Sequence, residues 1–488
     1  MPSYTGKILT VNLTSGELIE ETIPDSVYEM VLSGVGLGAY ILYNRIPAMA
    51  DPLGPENILG FVSGLLTGTG SVVTGRWMVV CKSPLTGGWG DSNCGGNFSP
   101  AIKQCGYDGI FFTGVSEKPV YLFIDHKGPQ LKSAEHLWGV DAVTAEAALI
   151  EENRRKKEPC VAVIGPAGER CSLISGICND GGRIAARSGG GAVMGSKRLK
   201  AVVLAGVKPI PCHDPDAMKA ISKELSAKIR KQNIPTIVPG SALALGGRLM
   251  GSMKKAAPLD GILTSGIFKR WGTIMNNTMG AVSGDSPIKN WGGSVKDYNW
   301  SYYRNLNPDR IIARETRKYH CYSCIIGCGG VVDIKDLRNG EFDHTHKPEY
   351  ETCCAFGGLT MNKDLDVIYT INELLNRAGM DSISAGATVA FAIECYQAGL
   401  LTREMTGGLE LSWGDSRAIL ALVKMMIARE GVGDWLADGV KVASAKIGKL
   451  SEEYAVQVGG QEPGMHDSRY DPVLGIHFSA DPTPGRHT

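Results

Sequence analysis

The chain has 488 residues, more than one compact core accommodates, which points to two or three domains. Lys plus Arg and Asp plus Glu both number 50, so the formal net charge is zero and the basic footprint of a nucleic-acid-binding protein is lacking. The hydrophobic share of 43% is ordinary for a globular chain, and no apolar run reaches the roughly 18 residues of a membrane span.

The first residues, Met1-Pro2-Ser3-Tyr4-Thr5-Gly6-Lys7, carry no apolar core and no cleavage signal. With thirteen cysteines in the chain, that predicts a reducing, cytoplasmic setting. Residues 7–13 alternate, Thr14-Ser15-Gly16-Glu17 turns, and residues 18–23 alternate back, which predicts a β-hairpin. Further strands are predicted over 77–80, 109–113, 120–124, 161–164 and 201–204, with Gly-rich turns between them and a helix over 142–153. Residues 1–208 therefore read as a β-rich domain. Pro209, Pro211 and Pro215 punctuate its exit, and Asp214 caps the next helix. Helical apolar spacing follows over 217–232, 364–378, 387–398, 415–430 and 432–447, while 235–310 reads as irregular. The fold class expected is α+β, with a β-rich N-terminal cofactor-binding domain followed by mostly helical domains at 209–415 and from 416 on.

The sharpest local signal is His320-Cys321-Tyr322-Ser323-Cys324-Ile325-Ile326-Gly327-Cys328-Gly329-Gly330. Its Cys-x2-Cys-x3-Cys spacing lets one short loop present three thiolates, soft ligands that select iron–sulfur or zinc. A 4Fe-4S cluster, a zinc ion and purely structural cysteines are the three readings of the spacing. His344, His346, Cys353 and Cys354 follow without forming a second zinc pair. The clustering itself favours metal over disulfide.

Glycine numbers 63, well above the roughly 7% of an average chain. The glycines gather beside Arg, Asn and Ser, which suits either a loop-rich β domain or a large ligand approached closely by backbone. Two segments concentrate the pattern. One runs Gly75-Arg76-Trp77, Lys82-Ser83-Pro84-Leu85-Thr86-Gly87 and Asp91-Ser92-Asn93-Cys94-Gly95-Gly96; the other runs from Asn179 to Lys197 and contains Gly182-Arg183-Ile184-Ala185-Ala186-Arg187 and Ser188-Gly189-Gly190-Gly191. Arginine forks and bared N–H groups bind phosphate. Turn chemistry with surface ion pairs is the plainer reading of either segment alone. Beside a cysteine cluster, a phosphorylated redox cofactor accounts for both. Neither segment has a P-loop or Rossmann frame.

In combination these motifs resemble the aldehyde:ferredoxin oxidoreductase family of tungstopterin enzymes. The likeness includes Asp51-Pro52-Leu53-Gly54-Pro55-Glu56-Asn57, Gly106-Tyr107-Asp108, Ile164-Gly165-Pro166-Ala167-Gly168-Glu169 and Pro348-Glu349-Tyr350-Glu351. The resemblance implies a tungsten (or molybdenum) bis-molybdopterin between a β-rich domain and two helical ones, a 4Fe-4S cluster, and Mg2+ bridging the pterin phosphates. It places Arg76, Asn93, Gly95, Arg183, Ile184 and Ala186 at the phosphates and magnesium, Cys321, Cys324 and Cys328 at the cluster, and Glu351 near tungsten. Asn376 and Asp381 match the ends of a pterin-binding Asp-x-x-Gly-x-Asp motif whose first Asp is here Asn376. Members run on beyond the equivalent of Thr488, so the third domain is expected to be truncated here, with the second Asp-x-x-Gly motif and the fourth cluster cysteine in the part that follows. The position of a tungsten-proximal histidine falls on Leu474, with His466 and His477 near enough to substitute; His466 is expected to be catalytic.

The activity implied is oxidation of an aldehyde to a carboxylate, with Glu351 handling the attacking water. Electrons pass to ferredoxin or a small iron–sulfur subunit, in a homo- or hetero-oligomer. The alternatives are an aromatic acyl-CoA reductase-like member, whose changed pocket would suit Cys353 and Cys354, and a non-catalytic, zinc-bound remnant.

Overall fold

The structure is a computed structural model that describes residues 3–253, 260–297, 300–337 and 341–486. The chain divides into two compact units: Met1–Ala227 with His320–Ile325 and Asn376–Asp381, and Lys228–Tyr319 with Ile326–Leu375 and Ser382–Thr488.

The first unit is built on two six-stranded sheets. One holds β1 (Lys7–Asn12), β2 (Glu17–Thr22), β3 (Leu59–Ser63), β4 (Trp77–Lys82), β5 (Trp89–Cys94) and β6 (Gly109–Thr113) in the order β2-β1-β6-β3-β4-β5. The other holds β7 (Val120–Asp125), β8 (Gly128–Ser133), β9 (Cys160–Val163), β10 (Ile177–Asn179), β11 (Arg183–Ala185) and β12 (Leu199–Leu204) in the order β11-β10-β9-β12-β7-β8. Pairing is antiparallel except for β1–β6 and β7–β12. The expected hairpin forms in register from Lys7 opposite Thr22 to Asn12 opposite Glu17.

Strand side chains alternate between faces, and three cores follow. Leu9 and Val11 share one core with Leu122, Ile124, Val202 and Leu204, so the two sheets pack face to face. Ile8, Val62 and Val80 point the other way, against Tyr28, Leu37 and Ile41. Ala201 and Val203 likewise meet Ala142, Ala145 and Leu149 of the helix Ala142–Glu152. The helices Asp25–Val31 and Val35–Arg45 that cover the first sheet were not expected from the sequence. Their bend of 113° lays an apolar face on the sheet, and no single helix among the described residues is long and apolar enough to cross a membrane.

The second unit is mostly helical, with one three-stranded antiparallel sheet of β13 (Glu315–Tyr319), β14 (Gly329–Asp333) and β15 (His344–His346). The expected helices appear as Leu365–Ala378, Ser382–Gln397 and Ser416–Ala428. The segment 432–447 splits into Val432–Leu436 and Val440–Ile447 at Gly439, whose φ is 87°. The stretch 235–310 is not irregular: it contains Ala242–Met253, Gly261–Trp271 and Asn276–Ser283, with Trp300–Asn305 and Pro308–Ile312 following. Its glycines serve packing. A Cβ on Gly247 would strike the Met279 carbonyl, and one on Gly251 would lie 2.9 Å from the Ser283 carbonyl. Glycine thus lets two helix backbones approach, which a reading of glycine as a helix breaker misses.

Asp415 caps the helix Ser416–Ala428 by accepting from the Arg417 and Ala418 amides at 3.0 and 3.2 Å. Asp415→Ala is expected to cost about 1 kcal/mol, read as a shift of the denaturant midpoint at constant slope. An unshifted midpoint would deny that cap any role.

Candidate active site

In the first unit the candidate cofactor segments lie on sheet edges. Asn93 sits near the end of edge strand β5, and Arg183 and Ile184 lie on edge strand β11. The Asn93 Oδ1 atom is buried and has no hydrogen-bond partner among the described residues. A buried, unmet amide oxygen is a ready ligand for a hard cation. Gly95 follows, its carbonyl accepting from Asn179 Nδ2 at 3.1 Å. A Cβ on Gly95 would fall well inside contact distance of Cys321 Sγ and 3.0 Å from Arg183 Nη1.

Arg183 is nearly buried and donates from Nη1 to Cys321 Sγ at 2.9 Å and from Nη2 to the His320 carbonyl at 3.1 Å. A guanidinium donor suits a sulfur that carries negative charge, as a metal-bound thiolate does. The cysteine loop is stapled in place. Tyr322 N donates to the Gly96 carbonyl at 3.0 Å, Val73 N to the Ser323 carbonyl at 2.8 Å, and Ser323 Oγ to the Ser71 carbonyl at 2.8 Å. Gly75 leaves room for the Tyr322 backbone, and Arg76 beside it is exposed. The Arg76 guanidinium forms no ion pair among the described residues; its carbonyl accepts from Ser99 Oγ at 2.8 Å. Ile184 pairs with Cys178 across β10–β11, and Ala186 leads from β11 toward the glycine run.

The segment Asn376–Asp381 docks on the same unit. Gly176 N donates to the Gly379 carbonyl and Asp381 N to the Ile174 carbonyl, both at 2.9 Å. Gly182, at φ 132°, lies against the Asn376 side chain. The Asp381 carboxylate is paired with Arg187 at 2.8 Å, both nearly buried. Nearby, burial pushes the Glu146 carboxyl up to about 8, while its Oε2 accepts from the Gly181 amide at 2.8 Å. Burial also raises Asp180 above its ordinary range despite the opposing charge of Arg183.

In the second unit, Glu351 occupies the first turn of the short helix Tyr350–Ala355. Its Oε2 accepts from Met465 N at 2.8 Å, and its Oε1 lies 3.6 Å from His466 Nε2. On the other side of the ring, His466 Nδ1 lies 2.9 and 3.0 Å from the two carboxylate oxygens of Asp285. Tyr350 closes the arrangement: its hydroxyl donates to the Met465 carbonyl at 2.5 Å and lies 2.9 Å from Ser286 Oγ. Burial pulls the imidazole down, but the hydrogen bond and charge of Asp285, with the charge of Glu351, more than offset it, so His466 titrates above its ordinary value. His477 lies elsewhere, half-exposed and 3.7 Å from Asp481. Leu474 is a half-buried residue of the helix Pro472–Ala480.

Residues 8–206 match the family model of the aldehyde ferredoxin oxidoreductase N-terminal domain, and residues 253–488 match the model of domains 2 and 3. The chain belongs to the aldehyde ferredoxin oxidoreductase family. This family is one of oxidoreductases. The tungsten-containing aldehyde ferredoxin oxidoreductase of Pyrococcus horikoshii is 32% identical over 490 residues, covering 100% of this chain and 74% of the relative. The WOR-like subunit of the aliphatic sulfonate oxidoreductase of Pyrococcus furiosus is 30% identical over 514 residues, covering 100% and 75%. A chain of the active-site complex BamBC of benzoyl coenzyme A reductase, solved with 1,5-dienoyl-CoA, superposes with a TM-score of 0.79 at 27% identity, covering 95% of this chain and 66% of that one. The β-rich, then helical, architecture is the fold of that neighbour.

Within the first unit of this aldehyde ferredoxin oxidoreductase family member, Gly95 and Arg183 meet Cys321, Asn93 lies two residues before Gly95, Cys324 N donates to the Cys321 carbonyl, and Asn376 and Asp381 bound a turn of the same unit. Glu351 and His466 meet in the second unit, and Cys328 belongs to that unit, its carbonyl against Gly272. Among the described residues, no three His, Cys, Asp or Glu side chains converge as they would on a single metal ion. Asp285 and Tyr350 were not singled out as site residues from the sequence, and Arg187 only as one arginine of a phosphate-binding segment. Asp285 has no motif around it, and Tyr350 is visible only as the neighbour of Glu351.

Proposed function

We propose that the chain is the catalytic subunit of a tungstopterin enzyme that oxidises an aldehyde and water to a carboxylate and passes the electron pair to ferredoxin or a small iron–sulfur subunit. The observation that carries this reading is Glu351 held 3.6 Å from His466, with the glutamate anchored through Met465 and the histidine through Asp285. The unmet Asn93 oxygen, the bared backbone at Gly95 and the exposed Arg76 fit a phosphorylated, cation-bridged ligand.

In this reading Arg76, Arg183 and the backbone around Ile184 and Ala186 hold the pterin phosphates, and Asn93 holds their Mg2+. Asn376 and Asp381 approach the pterin, with Asp381 oriented by Arg187. Cys321, Cys324 and Cys328 ligate the 4Fe-4S cluster. When bound, the tungstopterin supplies a Lewis acid and an electron-pair acceptor. The chain's own groups do the proton work. Glu351 orients water and takes its proton, and His466 donates to the aldehyde oxygen. Thirteen cysteines in the chain suit a reducing, cytoplasmic setting.

A second reading, reduction of an aromatic acyl-CoA, draws on the benzoyl coenzyme A reductase likeness and on buried Cys353 and Cys354 beside Glu351. Purification without oxygen in the presence of tungstate, followed by viologen-reduction assays, separates the two. Aldehyde-dependent viologen reduction with tungsten, iron and labile sulfide is the expected result. Dienoyl-CoA-dependent reduction without aldehyde turnover would favour the second reading, and zinc as the only metal would overturn both.

A further inference from the structure

Asp285 belongs to no motif, yet it is the best-placed partner of His466. It follows the helix Asn276–Ser283, and three features fix it: its amide donates to Ser283 Oγ at 3.3 Å, its carbonyl accepts from Asp467 N at 2.6 Å, and both carboxylate oxygens reach His466 Nδ1. His466 and Asp285 are each 17% exposed at the side chain, as is Glu351, so water screens these charges weakly.

A carboxylate on Nδ1 determines the tautomer, because Nδ1 must then be the donor. The ring therefore turns its Nε2 edge toward Glu351. We propose that Asp285 is a positioning residue of this site: it orients the His466 ring and holds it as an imidazolium whose Nε2–H faces Glu351 and the reacting oxygen. The assignment rests on the functional reading above only for what the proton is used for; the orientation itself rests on geometry.

The neighbourhood supports a retained proton. Against the ring are Asp285 from the turn after Asn276–Ser283 and Glu351 and the Tyr350 ring from the helix Tyr350–Ala355, while Asp471 at the cap of Pro472–Ala480 acts on it through its charge. The Tyr350 and His466 ring centroids are 5.3 Å apart. The Tyr470 hydroxyl, near Asp285, is itself raised, first by burial. Asp467 next in the chain is occupied by Arg469. Two carboxylates thus flank one imidazole, and the charge of Asp471 acts in the same direction. The sign is definite. A raised imidazole is protonated below its midpoint and loses the proton as pH rises through it, so weakening Asp285 must end the protonated state at lower pH.

The test is hydrogen–deuterium exchange at the imidazole C2 carbon, read by mass spectrometry on the full-length holoprotein kept from air. This gives the His466 midpoint without any assay of turnover. In Asp285→Asn the midpoint is expected to fall by about one pH unit or more, and Asp285→Glu should restore most of the fall. If aldehyde is oxidised, the alkaline limb of kcat in Asp285→Asn should move down by the same interval, with KM changed less than about twofold. An unchanged His466 midpoint in a folded Asp285→Asn overturns the proposal. So does a wild-type midpoint at or below the ordinary value of about 6.5, which needs no variant to fold. A midpoint that shifts as expected in a protein that oxidises no aldehyde would overturn the functional reading and leave the positioning role of Asp285 standing.

Discussion

Glu351→Gln is expected to lower kcat for aldehyde oxidation by about 10²–10⁴-fold, with tungsten and iron contents unchanged. The substitution keeps the shape of the side chain and removes its charge and its basicity. It also creates a local conflict. In wild type, Glu351 accepts from Met465 N through one oxygen and faces His466 Nε2 with the other. An amide can offer only one oxygen. If that oxygen stays on the Met465 amide, the NH2 group is turned toward a protonated Nε2, donor against donor. The predicted signature is therefore a collapse of kcat in anaerobic viologen assays, accompanied by a lower His466 midpoint. Wild-type kcat in a metal-replete Glu351→Gln protein would remove the glutamate from the reaction.

Gly95→Ala carries the second large effect. The added methyl would overlap Cys321 Sγ and press on Arg183 Nη1. Neither side can yield easily. The Gly95 carbonyl is held by Asn179, the Gly96 carbonyl by Tyr322 N, and Cys321 Sγ by Arg183. If Cys321 ligates the cluster, the sulfur is displaced by more than a metal–thiolate bond tolerates, and iron and labile sulfide should fall below stoichiometry with loss of the electron paramagnetic resonance signal of the reduced cluster. Gly88→Ala is the matched control, because its added Cβ meets nothing nearer than Thr86 Oγ1 at 3.9 Å. Full iron content in Gly95→Ala would show that Cys321 Sγ does not point at the cluster as placed here.

Of the pterin-binding residues expected from the resemblance, Asp381 also has a role inside the protein. Its ion pair with Arg187 orients the carboxylate, and a nearly buried pair of this kind penalises the loss of either partner more than it rewards the presence of both. Asn376, by contrast, contributes its carbonyl, which accepts from Cys178 Sγ at 3.5 Å, while its side chain rests against Gly182. Loss of the motif's first carboxylate therefore leaves the turn itself intact.

Local chemistry by itself determined much of this molecule. The period-two alternation of Lys7–Asn12 and Glu17–Thr22 made the first hairpin legible, because a sheet with two differently packed faces imprints that period on its strands. The cysteine spacing and the two glycine-arginine segments stood out for a different reason: their distinctive residues lie close together in sequence. Tertiary structure decided the rest. It turned the glycines of Ala242–Met253 from apparent breakers into a close helix contact, since only a neighbouring backbone reveals what a missing Cβ makes room for. It selected His466 over His477 as the partner of Glu351. It also brought Asp285, far from either in the chain, onto the histidine, because charge pairing across a buried site depends on distance in space and leaves no period or spacing in the chain to read.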